Sequence, residues 1–218
     1  MDSKITITWH GHSCFSLSAK GYTLVLDPYD NSLEGYAPLH LSANEVLCSH
    51  GHHDHAWLPA VSLEKADASP FALRAVKTWH DDCQGKKRGE NLVHVVNFAG
   101  KKLVHCGDLG HLLTPEQIAQ IGPCDVLMVP VGGFYTIDAV QARQVADQLR
   151  ACVVIPMHYR FGQYGIPVIG EVEDFLALAG DLPVHRYPDN QLILEEDTPR
   201  QIAVLRYQGD QTEGTVGK

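Results

Sequence analysis

The sequence predicts an α/β layered fold built on one mixed sheet or on two sheets. Three observations point there. Strand-like runs follow one another at the start of the chain with no helix between them, as in a meander. Later strand runs alternate with helical patterns. No G-x-G-x-x-G follows the first strand and no G-x-x-x-x-G-K-[ST] occurs anywhere, so a plain dinucleotide- or phosphate-binding βαβ unit fits poorly.

Ile5-Thr6-Ile7-Thr8-Trp9 alternates with the period of a half-buried strand. Residues 14–17 and 22–26 read as the next two strands, the second after a turn at Lys20-Gly21. A loop with Pro, Gly and Ser runs from Pro28 to about Asn44, and 45–49 reads as a short buried strand that stops in a histidine-rich loop. Further strands are expected at 71–78, 92–98, 102–106, 125–131 and 152–156, then at 191–195 and 201–207, bridged by a turn around Thr198-Pro199. Three helices are expected. Thr114 caps 115–121, with Pro115 in the first position and Gly122 beyond the end. Segment 138–150 carries apolar residues at 139, 140, 142, 145, 146 and 149, close to helical spacing. Segment 171–179 ends at Gly180. These elements make one domain, 1–210, followed by a polar, frayed tail, 211–218.

A chain of 218 residues, 44% hydrophobic and 20% charged, can bury a core without staples. It has no run of 18 apolar residues, so no membrane-spanning helix is expected. Met1 to Thr6 lack the basic and apolar regions of a secretory signal, and a cytoplasmic location is expected. A net charge of -9 argues against a nucleic-acid-binding surface. The six cysteines form no C-x-x-C pair and are expected to be reduced; Cys14, Cys48, Cys106 and Cys152 lie in apolar runs, as small buried hydrophobes do. The unusual feature is 13 histidines beside 17 lysines and arginines. Histidine is the commonest metal ligand and the usual acid–base group near neutral pH.

Position gives the histidines meaning. Ser49-His50-Gly51-His52-His53-Asp54-His55 places four metal-capable groups, at 50, 52, 54 and 55, directly after a strand. Residues two apart leaving a strand point the same way, so His50 and His52 converge on one ion. Gly51 lets the backbone turn between them. Asp54 and His55 reach a second ion beside the first. Imidazole suits zinc, copper, iron or nickel, and an adjacent carboxylate is compatible with zinc, iron or manganese. His53 falls out of phase and is expected to be exposed or to face substrate.

H-x-H-x-D-H is the hallmark of the metallo-β-lactamase fold, and the chain resembles that superfamily from residue 4 to about 207. Trp79-His80-Asp81, His105-Cys106-Gly107-Asp108-Leu109-Gly110-His111 and Ile155-Pro156-Met157-His158-Tyr159 match its later motifs in order. Trp9-His10-Gly11-His12-Ser13-Cys14, Leu26-Asp27-Pro28 and Pro130-Val131-Gly132-Gly133 resemble a small single-domain branch related to L-ascorbate-6-phosphate lactonase. The resemblance implies a four-layer αββα sandwich of two mixed sheets with metals at one edge. It implies one ion on His50, His52 and His80, a second on Asp54, His55 and His158, Asp108 between them, and a bridging hydroxide. Two divalent ions are expected, zinc first, with manganese or iron as alternatives. Two close ions depress the pKa of a shared water, which attacks a carbonyl or phosphorus. Asp54 then orients the nucleophile or passes its proton to the leaving group. No G-x-S-x-G nucleophile elbow competes with this reading.

Other residues carry alternative roles. Asp27 hydrogen-bonds a ligand histidine or serves a turn. His12 faces the metal pocket or is structural. Asp81 supports a ligand or caps a loop. His111 lines the pocket, and Tyr135 and Arg160 contact substrate. Arg88, in Arg88-Gly89-Glu90-Asn91, meets an anionic substrate or lies in a solvated loop. His10 reads as structural, His105 as a core residue or a support to the site rather than a ligand, and His40, His94 and His185 as ordinary. The expected function is a metal-dependent hydrolase of a small anionic substrate: a phosphoester, lactone or thioester. The alternatives are a nuclease or phosphodiesterase acting on nucleic acid and, less favoured, a diiron redox protein, a subgroup with Glu where this chain has His52. The expected partner is a small molecule, and a homo-oligomer is compatible with the sequence.

Overall fold

The computed structural model describes residues 4–33, 35–66 and 68–209. The expected tail at 211–218 therefore lies outside the described residues. Two large mixed sheets face each other across the core. The first has five strands: β1 (Ile5–Gly11), β2 (Cys14–Ala19), β3 (Tyr22–Leu26), β5 (Glu45–Leu47) and β13 (Gln191–Leu194), in the order β13-β1-β2-β3-β5. The second has seven: β7 (Ala72–Trp79), β8 (Glu90–Phe98), β9 (Lys101–His105), β10 (Val126–Pro130), β11 (Val153–Met157), β12 (Val184–Arg186) and β14 (Gln201–Val204), in the order β12-β14-β11-β10-β9-β8-β7. Strands β4 (Leu41–Ala43) and β6 (Val61–Leu63) form a small parallel pair.

The patterns of the sequence explain where each strand sits. In β1, Ile5, Ile7 and Trp9 are buried while Thr6, Thr8 and His10 are half-buried, which is the alternation of a strand with one face on the core. Strands β10 and β11 are apolar and buried at every position, because each is flanked by parallel neighbours and covered on both faces. Helix α1 (Pro115–Ile121) starts at Thr114 in a full capping box with Gln117. Helix α2 (Ala139–Gln148) starts the same way, with Asp138 and Gln141. Helix α1 packs on β7 and α2 on β10, with α3 (Val172–Leu176) against α2, so these helices cover the seven-stranded sheet.

The structure corrects or extends the expectations at four points. A turn does separate the two late strands, but they do not pair with each other. Strand β13 joins β1 in one sheet and β14 joins β11 and β12 in the other, so the turn near Thr198 carries the chain between sheets. The third helix is shorter than 171–179: after Leu176 the amides of Leu178 and Ala179 bond three residues back, a 3₁₀-type tightening that ends at Gly180 (φ +62°). Strands β4, β6 and β12 were not foreseen, being too short to show a period. All six cysteines are free, but Cys48 and Cys152 are only half-buried. Among the described residues no helix is long and apolar enough to cross a membrane.

Candidate metal centre

Strands β1 and β3 both run antiparallel to β2, and β5 runs parallel to β3. Their C-terminal ends therefore meet at one edge. In the other sheet β7 and β9 both run antiparallel to β8, while β9, β10 and β11 are parallel. Their C-terminal ends share an edge too. His12, Asp27 and the loop 48–55 leave the first edge; His80, Asp108 and His158 leave the second. The site forms where these edges face each other.

The seven residues expected as ligands come together. His50, His52 and His80 each offer a ring nitrogen within 4.8 Å of the others, and His50, His55 and Asp108 form a second such group. Asp108 lies between the two halves. Its Oδ2 is 3.1 Å from His80 Nε2 and 3.3 Å from His158 Nε2, and its Oδ1 is 3.2 Å from His55 Nε2. Asp54 Oδ2 lies 3.8 Å from His55 Nε2. Donors placed about 2.0 Å from a tetrahedral zinc stand about 3.3 Å apart, so this spacing suits ligands around an ion. Buried atoms without a hydrogen-bond partner support the fit: His50 Nε2, His55 Nε2 and Asp108 Oδ1. Buried polar atoms are rarely left unpaired without a reason.

Electrostatics prepare the rings. Burial lowers the pKa of His50 to about 3, so its ring is neutral and keeps a lone pair. His55 behaves differently: burial opposes its charge, but Asp108 and Asp27 outweigh that and hold it well above the usual histidine range. Burial likewise opposes ionisation of Asp108, yet His158 and His55 keep its carboxyl well below the usual range.

Asp27 takes the role of orienting carboxylate. Its Oδ2 accepts from His55 Nδ1 at 2.8 Å and from Ser49 Oγ at 2.6 Å, and its Oδ1 accepts the Ser49 amide at 2.7 Å. Ser49 Oγ also lies 2.9 Å from His50 Nδ1. One buried carboxylate thus aims two histidines. The sequence reading did not single out Ser49, although it opens the motif.

Asn91 was missed as well. Its side-chain amide donates to Thr78 Oγ1 and to the Cys106 carbonyl, and its Oδ1 accepts the Asp108 amide at 2.9 Å. An asparagine at the head of an apolar strand is a weak local signal, and its full burial shows only in the structure. His105 works from the other side. Its Nε2 donates to the Ser13 carbonyl and its Nδ1 accepts the Gly107 amide, which makes it a structural support for the Asp108 turn. Gly107 (φ +54°) is required there. A Cβ would stand 2.3 Å from Ser49 Cβ and 2.5 Å from Asn91 Oδ1, so only glycine lets the loops of the two sheets touch.

Asp81 takes the second of its two expected roles: it accepts the amides of Cys83, Gly85, Lys87 and Arg88 and so caps a loop. Two residues expected near the pocket have other roles. His111 uses both nitrogens on backbone, donating to the Leu112 carbonyl and accepting the Trp79 amide. Arg160 lies outside the cavity and pairs with Glu171 at 2.6 Å. Tyr135 does line the cavity above the site, about 450 Å³ in volume, and Arg88 stacks over its ring at 5.3 Å. The loop held by Asp81 thereby delivers Arg88 to the rim. His53 is exposed at that rim, close to Asp30 and Ser32. His12 is fully buried beside His55 and His158.

The family model described as the beta-lactamase superfamily domain matches residues 6–158. A UPF0173 metal-dependent hydrolase of Thermoplasma acidophilum is 29% identical over 208 residues, spanning 81% of this chain and 91% of its own. A crystal structure from Thermotoga maritima, of a protein assigned as a Zn-dependent hydrolase of the metallo-β-lactamase superfamily, is 37% identical. Its TM-score is 0.71, with 92% of this chain and 98% of that one covered. The metallo hydrolase Igni18 of Ignicoccus hospitalis shares the fold at 20% identity, with a TM-score of 0.62 over 88% of this chain and 99% of its own.

Proposed function

The chain belongs to the metallo-β-lactamase superfamily, and from that premise we propose a metal-dependent hydrolase that cleaves an ester-type bond in a small anionic substrate. One observation carries the reading. Asp108 lies within 3.3 Å of His80, His55 and His158, between two clusters of ligand-type side chains that open into a cavity whose only lysine or arginine, among the described residues, is Arg88.

Two divalent ions, zinc first, would sit on His50, His52 and His80 and on His55, His158 and Asp54, with Asp108 shared. Bound there, they would supply Lewis acidity and a water acidified toward neutral pH. The protein's own groups do the rest. Asp54 faces the cavity. Burial opposes its ionisation, but His12 and His55 outweigh that and hold it well below the usual carboxylate range. It is therefore anionic at pH 7 and orients a water by accepting its hydrogen bond. Arg88 binds the anionic part of the substrate away from the scissile bond. Leu33, Ile166 and Pro167 wall the cavity with apolar surface and exclude water.

The test is a panel of phosphodiester, lactone and thioester substrates, each with and without a remote anionic group, offered to chelated, zinc-loaded and manganese-loaded protein. Metal-dependent turnover that favours the anionic member of a pair is expected. Loaded protein that hydrolyses none of the classes would sink the proposal.

A further inference from the structure

We propose that His12 is an additional ligand of the second metal position, making both positions rich in imidazole: His50, His52 and His80 at one, His12, His55 and His158 at the other. The inference rests on the proposed metal-dependent function and adds a residue from outside the H-x-H-x-D-H motif.

Four observations carry it. His12, His55 and His158 each place a ligand nitrogen within 4.8 Å of the others, and all three are buried. The His12 ring centroid is 4.2 Å from that of His158 and 5.2 Å from that of His55. His12 Nε2 lies 3.5 Å from Asp54 Oδ2, close to the spacing of two donors on one ion. Finally, His12 is 0% exposed, its Nδ1 has no hydrogen-bond partner, and its Nε2 stands 3.5 Å from the Asp54 carboxylate, beyond ordinary hydrogen-bond range.

The last observation separates a ligand from a structural histidine. His105 and His111, which have structural roles here, each use both nitrogens. A buried ring with two idle nitrogens is costly unless something occupies one of them. Contact with substrate does not explain it, because His12 does not line the cavity whereas Asp54 does. The backbone agrees. His12 (φ +50°) and His158 (φ +52°) both adopt the left-handed region. The His12 carbonyl accepts from Trp9 Nε1 at 3.0 Å and from the His158 amide at 3.2 Å, which locks the two turns together. Strain of this kind persists where surrounding structure enforces it, often at functional sites. A position with three imidazoles favours zinc and the later transition metals over manganese or magnesium.

The experiment uses the full chain. Imidazole ¹⁵N shifts of zinc-loaded wild type distinguish coordinated from free rings, and six coordinated histidines are expected, His12 among them. Chelator competition with Co(II) is then compared between wild type and His12→Asn, which tolerates the left-handed backbone, with His12→Gln as second variant. The first equivalent, held by His50, His52 and His80, keeps its affinity and absorption, which also reports that the variants are folded. The second loses more affinity than the roughly ten- to hundredfold that removal of a residue merely supporting a ligand costs, and its absorption changes. Five coordinated rings in wild type, or two equivalents bound by His12→Asn as tightly as by wild type, would overturn the assignment of His12 alone. Wild type that takes up no transition metal would overturn the metal-dependent reading as well.

Discussion

Replacing Asp27 by asparagine keeps shape and removes charge at the point where the site is oriented. In metal-free protein the Asp27 pKa is held at about 2 instead of 3.8. Burial opposes this, and nearby His105 together with the hydrogen bond from His55 outweighs it. At about 1.4 kcal/mol per tenfold change in proton affinity, that corresponds to about 2–3 kcal/mol of stability. The sign follows from a lowered folded-state value. The contribution is present in full above pH 3.8 and disappears as pH falls toward about 2. The substituted amide also presents the wrong hydrogen bond. If its oxygen accepts from the Ser49 amide, its NH₂ turns toward His55 Nδ1 and can no longer accept that ring's hydrogen bond. The expected result is a loss of about 2–3 kcal/mol in urea unfolding of chelated protein at pH 7, narrowing below pH 4. Metal affinity should fall about ten- to a hundredfold by chelator competition. An Asp27→Asn protein with wild-type stability at pH 7 and wild-type metal affinity would refute the argument.

Other substitutions test separate parts of the site. Gly107→Ala drives a Cβ to 2.3 Å from Ser49 Cβ in a left-handed conformation, so overpacking of about 1–3 kcal/mol should lower Tm by roughly 3–10 °C by calorimetry. Arg88→Ala should reduce kcat/KM about ten- to a hundredfold, mostly through KM, for anionic substrates and leave their neutral counterparts unaffected. Arg88→Lys should recover part of that loss, since it restores charge without the planar fork. Asp108→Ala should bind no more than one ion tightly by elemental analysis and lose measurable turnover, because the carboxylate lies within 3.3 Å of histidines from both metal groups.

Local chemistry was the legible part of the site. His50, His52, Asp54 and His55 lie within six residues directly after a strand, so a one-dimensional pattern marks them; His80, Asp108 and His158 each leave a strand too, but only the family resemblance joined them to the set. The supporting groups depend on distant pairings. Asn91 matters because β8 lies between β7 and β9, placing its side chain between Thr78 and Cys106. The choice between Arg88 and Arg160 had no local signal either. It depends on Asp81 folding one loop toward the cavity and on Glu171 pairing with the other arginine. The same limit applies to the fold. Strands β13 and β14 are separated by a turn, yet edge partners in two different sheets claim them. Nothing in a turn sequence specifies which sheet edge is free.

The origin of the ligands leads to a last expectation. His50, His52, Asp54 and His55 come from the five-stranded sheet, and His80, Asp108 and His158 from the seven-stranded one. Each proposed ion therefore draws ligands from both sheets and ties the sandwich together along one edge. An ion on a single loop would restrain that loop; an ion shared between sheets opposes their separation. Binding to the folded state alone at a hundredfold excess over Kd contributes about 2.7 kcal/mol per ion. For a chain of this length that raises Tm by roughly 5–10 °C per ion. Hydrogen exchange should show the added protection in β9 and β11 as well as in β1 and β3, because release of either sheet breaks the shared ligand set. Protection confined to the 48–55 loop, or a Tm within about 1 °C of the chelated protein's, would show that the ions do not couple the sheets.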